Sequence, residues 1–514
     1  MPDVPFSLLY PDGSLAEQAR EPLDLSFLSE LSVQTLFTIM RSAVRFKPNQ
    51  KDPIEYWTND PEVIRYRLDI VDDLVHAEPL FDLFHKLLPE LEDMKELFYV
   101  EKRKDDEIAS SLSSISQIEI YTGCIDKLHA FFSKHEPMLQ SSGMKALAAI
   151  VKDVYDSASF QTLKSEFSQL HFSIRNIKSV TIGVNLDVNL NPIEAGLVSL
   201  NTESYRSGNL IDKLLRVDFQ NDPFTCLSPL QAVGKGTSKE QSAIFRQAVN
   251  STLQQQFKQA VADWRPVIRL FNRVESRFLV RLVDEIGFLL GGVTLIKKLQ
   301  RYGVPICKPN VEPMQSRALH IAGLYNPVYV LQLEEPAASS ISPVIVNNII
   351  FDENGMVYIF TGPNQGGKSV FTKAIGLAQT MLQLGLFVPG YRATMSPVDQ
   401  ILTHFPLKSD NHHFGRFGEE CQRLTEQFKK LSRHSLFLLD ESFSSTSAAE
   451  AAHIAEEVLQ GLCEVGCKVV FATHLHDLAR KIDELNASSS PESSRIDSLI
   501  AEMQSGPDEQ AGRS

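Results

Sequence analysis

The sequence is poor in several things at once. Six cysteines in 514 residues are too few and too scattered for a disulfide scaffold. Cys463 and Cys467 stand close together, but no second Cys or His pair lies at zinc spacing. Buried free thiols in a reducing cytoplasm are therefore expected, rather than a metal site. No apolar run approaches the roughly 20 residues that span a bilayer. The longest, Ile286–Ile296, is short and lies between charged flanks. The opening Met-Pro-Asp-Val-Pro-Phe-Ser lacks the charged start and apolar core of a signal peptide. A soluble cytoplasmic chain without a membrane partner is the expectation. Basic side chains are the minority, 50 Lys and Arg against 64 Asp and Glu, for a formal net charge of −14. That excludes a uniformly basic wrapper of nucleic acid and confines any DNA contact to a local patch. A fixed glycine period and a sustained heptad are both missing, which removes collagen-like and coiled-coil-only folds.

What remains is ordinary globular material. Hydrophobic residues make up 43% and charged residues 22%, and at roughly 150 residues per domain the length suits about three domains. Residues 1–25 read as an extended arm. Residues 26–310 read as a helical region. Asp60-Pro61 supplies an N-cap and a first-turn proline, and Val63, Tyr66, Ile70 and Val71 share the face of the helix that follows. Further helices are predicted over Leu80–Leu91, Ile115–His135, Met144–Phe172, Ser242–Phe271 and Val274–Leu299. A small β insertion at about 173–240 interrupts them. There Val180, Ile182, Val184, Leu186, Val188 and Leu190 alternate with polar residues, the period of a strand. Leu197–Leu200 is a candidate partner. Pro305, Pro309 and Pro313 mark a linker. Over 311–486 short apolar runs alternate with helical stretches, as in a mostly parallel α/β sheet. Residues 487–514 turn Ser-, Pro-, Gly- and Glu-rich and read as a disordered polar tail. The expected fold is thus multidomain, a helical region with a β insertion followed by a mostly parallel α/β domain.

The chemistry concentrates in that last domain. Gly362-Pro363-Asn364-Gln365-Gly366-Gly367-Lys368-Ser369 fits the phosphate-binding P-loop pattern between an apolar strand, Met356–Phe360, and a helix starting at Lys368. Its glycines let backbone N–H groups face phosphate oxygens, and the helix N-terminus adds its dipole. Val370 completes the loop's contact with nucleotide. Lys368 would hold the β- and γ-phosphates of ATP, and Ser369 would ligate Mg²⁺. The strand Leu436–Leu439 ends in Asp440-Glu441, at the end of the sheet where ligands bind. Asp440 would contact Mg²⁺ and Glu441 would polarise the attacking water. A third strand, Lys468–Ala472, ends in Thr473-His474, and His474 would reach the γ-phosphate or that water. An acidic pair followed by a strand-end His is the order of ABC-type ATPases.

These residues resemble the MutS family of DNA mismatch-repair ATPases. Thr361–Ser369 is similar to the family's TGPNMGGKS, with Gln365 in place of Met and the family's Asn at Asn364. Leu439-Asp440-Glu441, Phe471-Ala472-Thr473-His474 and Phe387-Val388-Pro389 resemble its acidic strand, its FATH element and its YVP step. Upstream, Asn326-Pro327-Val328, Asp60–Arg67 and Asn176–Val180 resemble its HPV element, its helical core and the start of its clamp. The likeness spans about residues 26 to 480.

The resemblance implies hydrolysis of ATP to ADP and phosphate in a homodimer that sandwiches nucleotide. Phe417 and Glu420 match the signature segment that reaches the partner subunit's nucleotide. It also implies double-stranded or branched DNA as ligand, and repair or recombination proteins as partners. Two departures fall on the implied dimer face. The signature Ser is absent from Gly415-Arg416-Phe417-Gly418, and Phe443-Ser444-Ser445-Thr446-Ser447 replaces the family's Gly-Arg-Gly-Thr-Ser. The first 25 residues hold no counterpart of the mismatch-reading and connector domains, so direct mismatch recognition is not expected. Residues 161–235 carry seven basic residues (Lys164, Arg175, Lys178, Arg206, Lys213, Arg216, Lys235) and seven acidic ones (Glu166, Asp187, Glu194, Glu203, Asp212, Asp218, Asp222). That neutrality gives DNA binding by the clamp no electrostatic support. An ATP-gated protein-interaction switch and a non-hydrolysing ATP binder stay open as alternatives.

Overall fold

The computed structural model describes residues 6–11, 23–42, 51–101, 107–174, 179–186, 188, 192–201, 203, 206–207, 225–226, 264–271, 277–333, 344–352, 355–363, 366–406, 416–443, 446–488 and 493–501. Helices α1 (Phe27–Glu30), α2 (Gln34–Ser42), α3 (Pro61–His76), α4 (Glu78–Glu101), α5 (Glu107–His135), α6 (Ser142–Asp156) and α7 (Ala158–Ile174) come first. Strands β1 (Ser179–Leu186), β2 (Pro192–Asn201), β3 (Arg206–Ser207) and β4 (Thr225–Cys226) follow, then α8 (Arg277–Arg301). The remainder alternates: β5 (Ile306–Cys307), β6 (Asn310–Val311), β7 (Leu319–Leu324), α9 (Pro327–Gln332), β8 (Asn347–Phe351), β9 (Val357–Thr361) and α10 (Lys368–Gln383). Next are β10 (Val388–Pro389), β11 (Arg392–Met395), β12 (Ile401–His404), α11 (Arg416–Phe428), β13 (Leu436–Asp440) and α12 (Ala448–Val465). The last are β14 (Lys468–Ala472), α13 (His476–Arg480), α14 (Ile482–Ser488) and β15 (Ile496–Ile500). Among the described residues no helix is long and apolar enough to cross a membrane.

The chain forms two compact units. One comprises Met1–Pro89, His135–Leu147 and Arg281–Ser514, the other Glu90–Lys134 and Ala148–Val280. The first unit is built on a five-stranded sheet, order β12-β13-β14-β9-β15, in which every neighbour is parallel. Every residue of β9, β13 and β14 is buried, because helices cover both faces of a parallel sheet. Phe437, Leu439, Val469 and Phe471 face the core shared with Ala455, Leu459 and Leu462 of α12. The opposite face takes α10, where Gly376 comes so close that an added Cβ would stand 2.8 Å from Leu438. A four-stranded mixed sheet, order β6-β11-β7-β8, lies in the same unit.

Several sequence expectations change here. The linker around Pro305, Pro309 and Pro313 is knitted into sheets: β5 pairs with β10 and β6 with β11. The expected tail from 487 contains β15, which extends the five-stranded sheet beside β9. Asn486 fixes its start by accepting from the Ile496 N–H and donating to the Ile496 carbonyl. Polar composition concealed a strand whose ladder partner is distant in sequence. The helix expected over Met144–Phe172 breaks at Ser157, whose hydroxyl accepts from the Phe160 N–H as a cap. Most of the helix expected over Ser242–Phe271 lies outside the described residues; 264–271 is helical. The expected arm is not free either, since Leu8 and Leu9 are fully buried. The helices up to Pro89 group with the parallel-sheet part rather than with the helices after it. Gln383 of α10 shows why, as its amide donates to the Thr58 carbonyl and its backbone carbonyl accepts from the Thr58 N–H. Cys463 and Cys467 are buried free thiols, and burial pushes both up to about 12.

Arg67 of α3 holds the arm. It is fully buried, donates to the Leu9 carbonyl at 3.0 Å and to the Tyr56 carbonyl, and lies 4.8 Å over the Tyr10 ring. Glu285, partly buried, accepts from the Leu8 N–H at 2.7 Å and from the Ser7 hydroxyl at 2.8 Å, within electrostatic reach of Arg67. Arg67→Met removes the buried cation that holds the Leu9 and Tyr56 carbonyls and faces Glu285. The expected loss is about 3 kcal/mol, read as a lower urea midpoint by the fluorescence of buried Trp57. A shift of less than a third of that size would mean the arm is held by apolar burial alone.

The second unit is helical, with a hairpin in which β1 and β2 pair antiparallel, Ser179 opposite Asn201. The strand expected over Val180–Leu190 ends at Leu186, and its partner is longer than Leu197–Leu200. Tyr121 packs edge-on against Phe160 and Phe271, and Phe167 against Trp264. Such pairs bury large area in defined geometry.

Candidate functional site

The site forms where β9, β13 and β14 end together. Beyond β9 the chain turns at Gly362 (φ 142°), and Gly367 (φ 77°) opens α10. Both conformations favour glycine. A Cβ on Gly362 would also stand 2.7 Å from the Ala501 side chain just past β15. The loop closes on itself as the Gly366 N–H donates to the Pro363 carbonyl at 2.9 Å. Lys368 is only 4% exposed. Its ammonium donates to the Gly362 carbonyl at 2.7 Å and the Pro363 carbonyl at 3.1 Å, so the cation is held within the loop. Asn364 and Gln365 lie outside the described residues. Val370 is exposed, and its carbonyl accepts from the Asn326 amide at 3.0 Å. Asn326 also caps α9 by accepting from the Tyr329 N–H, which ties the Asn-Pro-Val element to the phosphate loop's helix.

Asp440 ends β13 and is 5% exposed. Burial pushes its carboxyl above the usual range, opposed by a hydrogen bond from Ser369; Glu441 pushes the same way as burial, and Lys373 and Lys368 oppose it. One carboxylate oxygen, Oδ1, has no donor within the protein. A buried anionic oxygen left without a donor, beside a serine hydroxyl, fits a hard cation such as Mg²⁺, which takes one or two carboxylates and completes its shell with water and phosphate. Glu441 follows with φ 49°, the left-handed region, and its N–H donates to the Ala472 carbonyl at 2.9 Å. That turn brings its carboxylate to His474 at the end of β14, whose Nε2 donates to Glu441 Oε1 at 2.8 Å. Both side chains are part-exposed, as groups that meet a substrate must be.

The structure thus gathers Lys368, Ser369, Asp440, Glu441 and His474 at one sheet edge. Phe417 and Glu420 lie on α11. Phe417 packs against the core beneath α12, and the Glu420 backbone carbonyl faces His404. Gly415, Ser444 and Ser445 lie outside the described residues. Ser447 caps α12 by accepting from the Glu450 N–H. Sequence reasoning missed His404, at the end of β12, and Ser442, which meet at 2.7 Å. The signal was available: Ile401-Leu402-Thr403-His404 is another short strand ending in a polar residue, the pattern used to find Asp440 and His474.

Comparison with known proteins supplies independent ground. Residues 358–498 match the family model described as MutS domain V, and residues 59–302 match that described as the MutS2 N-terminal domain. The DNA mismatch repair protein MutS of Brevibacillus brevis is 34% identical over 146 residues, 28% of this chain and 17% of the relative. The endonuclease MutS2 of Thermus thermophilus is 33% identical over 139 residues, 27% of this chain and 19% of the relative. The DNA mismatch repair protein MSH2 of Saccharomyces cerevisiae is 28% identical over 256 residues, 49% of this chain and 24% of the relative. The matched segments therefore span less than a quarter of these relatives' own lengths.

Proposed function

Because the chain belongs to the MutS family, we propose that it is an ATPase of that kind, hydrolysing ATP at a composite dimeric site to switch a DNA clamp. The observation that carries the reading is the pairing of Glu441 with His474 at 2.8 Å, beside the donor-free oxygen of Asp440 and behind a complete phosphate loop. Lys368 leaves the Gly362 and Pro363 carbonyls for the β- and γ-phosphate oxygens, and loop N–H groups hold the rest of the phosphate chain. Ser369 and Asp440 would hold Mg²⁺, which when bound would supply counter-charge to the phosphates. Glu441 orients the attacking water and takes its proton, and His474 turns its Nε2–H from the Glu441 carboxylate to the γ-phosphate. The segment carrying Phe417 and Glu420 reaches the nucleotide of a second copy. Nucleotide state then biases the helical levers and the β1–β2 clamp, a ligand-driven two-state element. The cargo is double-stranded or branched DNA, with repair or recombination proteins as partners. The 26–310 core and lever, with the clamp at about 173–240, would serve the 311–486 ATPase domain.

The test is steady-state ATP hydrolysis at low salt with homoduplex, mismatched and branched DNA. Lys368→Ala is expected to weaken ATP binding by ~10- to 100-fold, the worth of a lost charge-assisted hydrogen bond to phosphate. Wild-type turnover should change with DNA. One observation favours a second reading: the balanced charge of residues 161–235 within a chain of net charge −14. If turnover is indifferent to every DNA, ATP gates a protein partner instead. Absence of turnover with retained ATP binding would identify a non-hydrolysing binder.

A further inference from the structure

The parallel register of β12 on β13 sets His404 opposite Leu439, next to the carboxylate pair. The ring is 2% exposed. Its Nδ1 lies 2.7 Å from the Ser442 hydroxyl and its Nε2 lies 3.3 Å from the Glu420 carbonyl oxygen. Burial and the nearby Arg423 guanidinium push the imidazole down to about 4, so the ring is neutral and carries one proton. A carbonyl oxygen only accepts, which puts that proton on Nε2. Nδ1 therefore accepts from Ser442. The ring is a fixed bridge: α11 on one side, the residue after Glu441 on the other.

That residue sits in unusual backbone. Glu441 (φ 49°) and Phe443 (φ 67°) flank Ser442, and both occupy the left-handed region despite bearing side chains. Such conformations persist only where the surroundings over-determine them. Three anchors do so here. The Glu441 N–H is held by the Ala472 carbonyl, the Phe443 ring is fully buried in the core, and the Ser442 hydroxyl is held by His404. The last leads by hydrogen bonds to α11, against which the Phe443 core also packs through Leu424. One turn along that helix, Arg423 donates to the Phe405 carbonyl at 2.6 Å and faces Glu30 at 3.6 Å. A turn further, the Gln427 amide donates to the Thr403 carbonyl, so the end of β12 grips α11 at three successive turns.

We propose that His404 is a positioning residue for Glu441: through Ser442 it holds the strained turn that aims this carboxylate, and it couples the aim to the placement of α11. This rests on Glu441 being the water-activating group. Since α11 carries Phe417 and Glu420, the bridge gives hydrolysis a direct dependence on where that segment sits, without a part in ATP binding.

The experiment uses the full chain and measures kcat, KM and equilibrium affinity for ATP in His404→Ala, Ser442→Ala, the double variant, His404→Asn and Glu441→Gln. His404→Ala and Ser442→Ala should each lower kcat by ~10- to 100-fold, the penalty of a misaimed reacting group, with ATP affinity within about twofold of wild type. The double variant should be no worse than the poorer single, because both remove one bond. His404→Asn, whose side-chain oxygen takes the place of Nδ1 as acceptor, should recover most of the loss. If His404→Ala fails to fold, Ser442→Ala, a change of one atom, decides the matter alone. Alanine variants turning over within about twofold of wild type while Glu441→Gln is inactive would overturn the positioning role and leave the catalytic reading standing. Undiminished turnover by Glu441→Gln would overturn both.

Discussion

Glu441→Gln is expected to lower the ATP turnover number by ~10²- to 10⁴-fold, the usual worth of a positioned general base. ATP affinity should hold. The two side chains have the same size, so the left-handed turn at φ 49° and the backbone bond to Ala472 are undisturbed. The amide carbonyl still accepts from His474, which stands 2.8 Å from the carboxylate now. What the amide lacks is a site for the water's proton. The loss should therefore fall on kcat and leave KM close to its starting value, the mark of an interaction made only in the transition state. A single-turnover measurement beside equilibrium ATP binding separates the two. Turnover within about tenfold of wild type would mean that another group activates the water, and the role given to Glu441 would be withdrawn.

The parts of this site that could be read from the sequence are those in which chemistry follows chain order. Gly362–Ser369 is one unbroken run of sequence between a strand and a helix, so its meaning needs no knowledge of the rest of the fold. Asp440-Glu441 and His474 were readable because each ends a short apolar run, and parallel strands deliver their ends to one edge. The geometry that was not readable is non-local. His404 and Ser442 meet only because β12 lies beside β13 in the register His404 opposite Leu439. Strands β5 and β6 are two residues long, too short to show a period; their pairing partners, not their own residues, make them strands. Likewise Ile496–Ile500 stands among Ser, Pro and Glu residues that signal disorder, and becomes a strand because β9 offers an open edge. The residues Ser7 to Tyr10 carry no pattern that announces burial. Their place is set by Arg67 and Glu285, far along the chain.

Asp440→Asn is expected to do two opposite things. In metal-free protein, burial has raised the Asp440 carboxyl above its ordinary value of 3.8. The folded state then holds this proton more tightly than the unfolded state does. Its contribution to stability is greatest below 3.8 and is lost as pH climbs through the raised folded value. Near neutral pH the wild type thus carries a buried anion with one oxygen lacking a donor. The neutral amide removes that burden, so in EDTA the variant should be more stable by about 1 kcal/mol and its melting temperature should depend less on pH in the acid range. With Mg²⁺ and ATP the order should reverse. Ligand that saturates the wild type at 100 times its dissociation constant stabilises it by about 2.7 kcal/mol, while the variant, with a weakened metal ligand, gains less. Turnover should fall by ~10²- to 10³-fold, because charge developing on the transferred phosphoryl group loses its counter-charge. Thermal melts of both proteins, in EDTA and then with Mg²⁺ and ATP, decide the matter. A variant less stable than wild type in EDTA would mean that Lys368 and Lys373 already compensate the carboxylate. An equal gain from Mg²⁺ and ATP in both proteins would remove Asp440 from the metal site. The crossing of the two stabilities is the informative result, because a residue kept for structure alone would lose stability in both conditions.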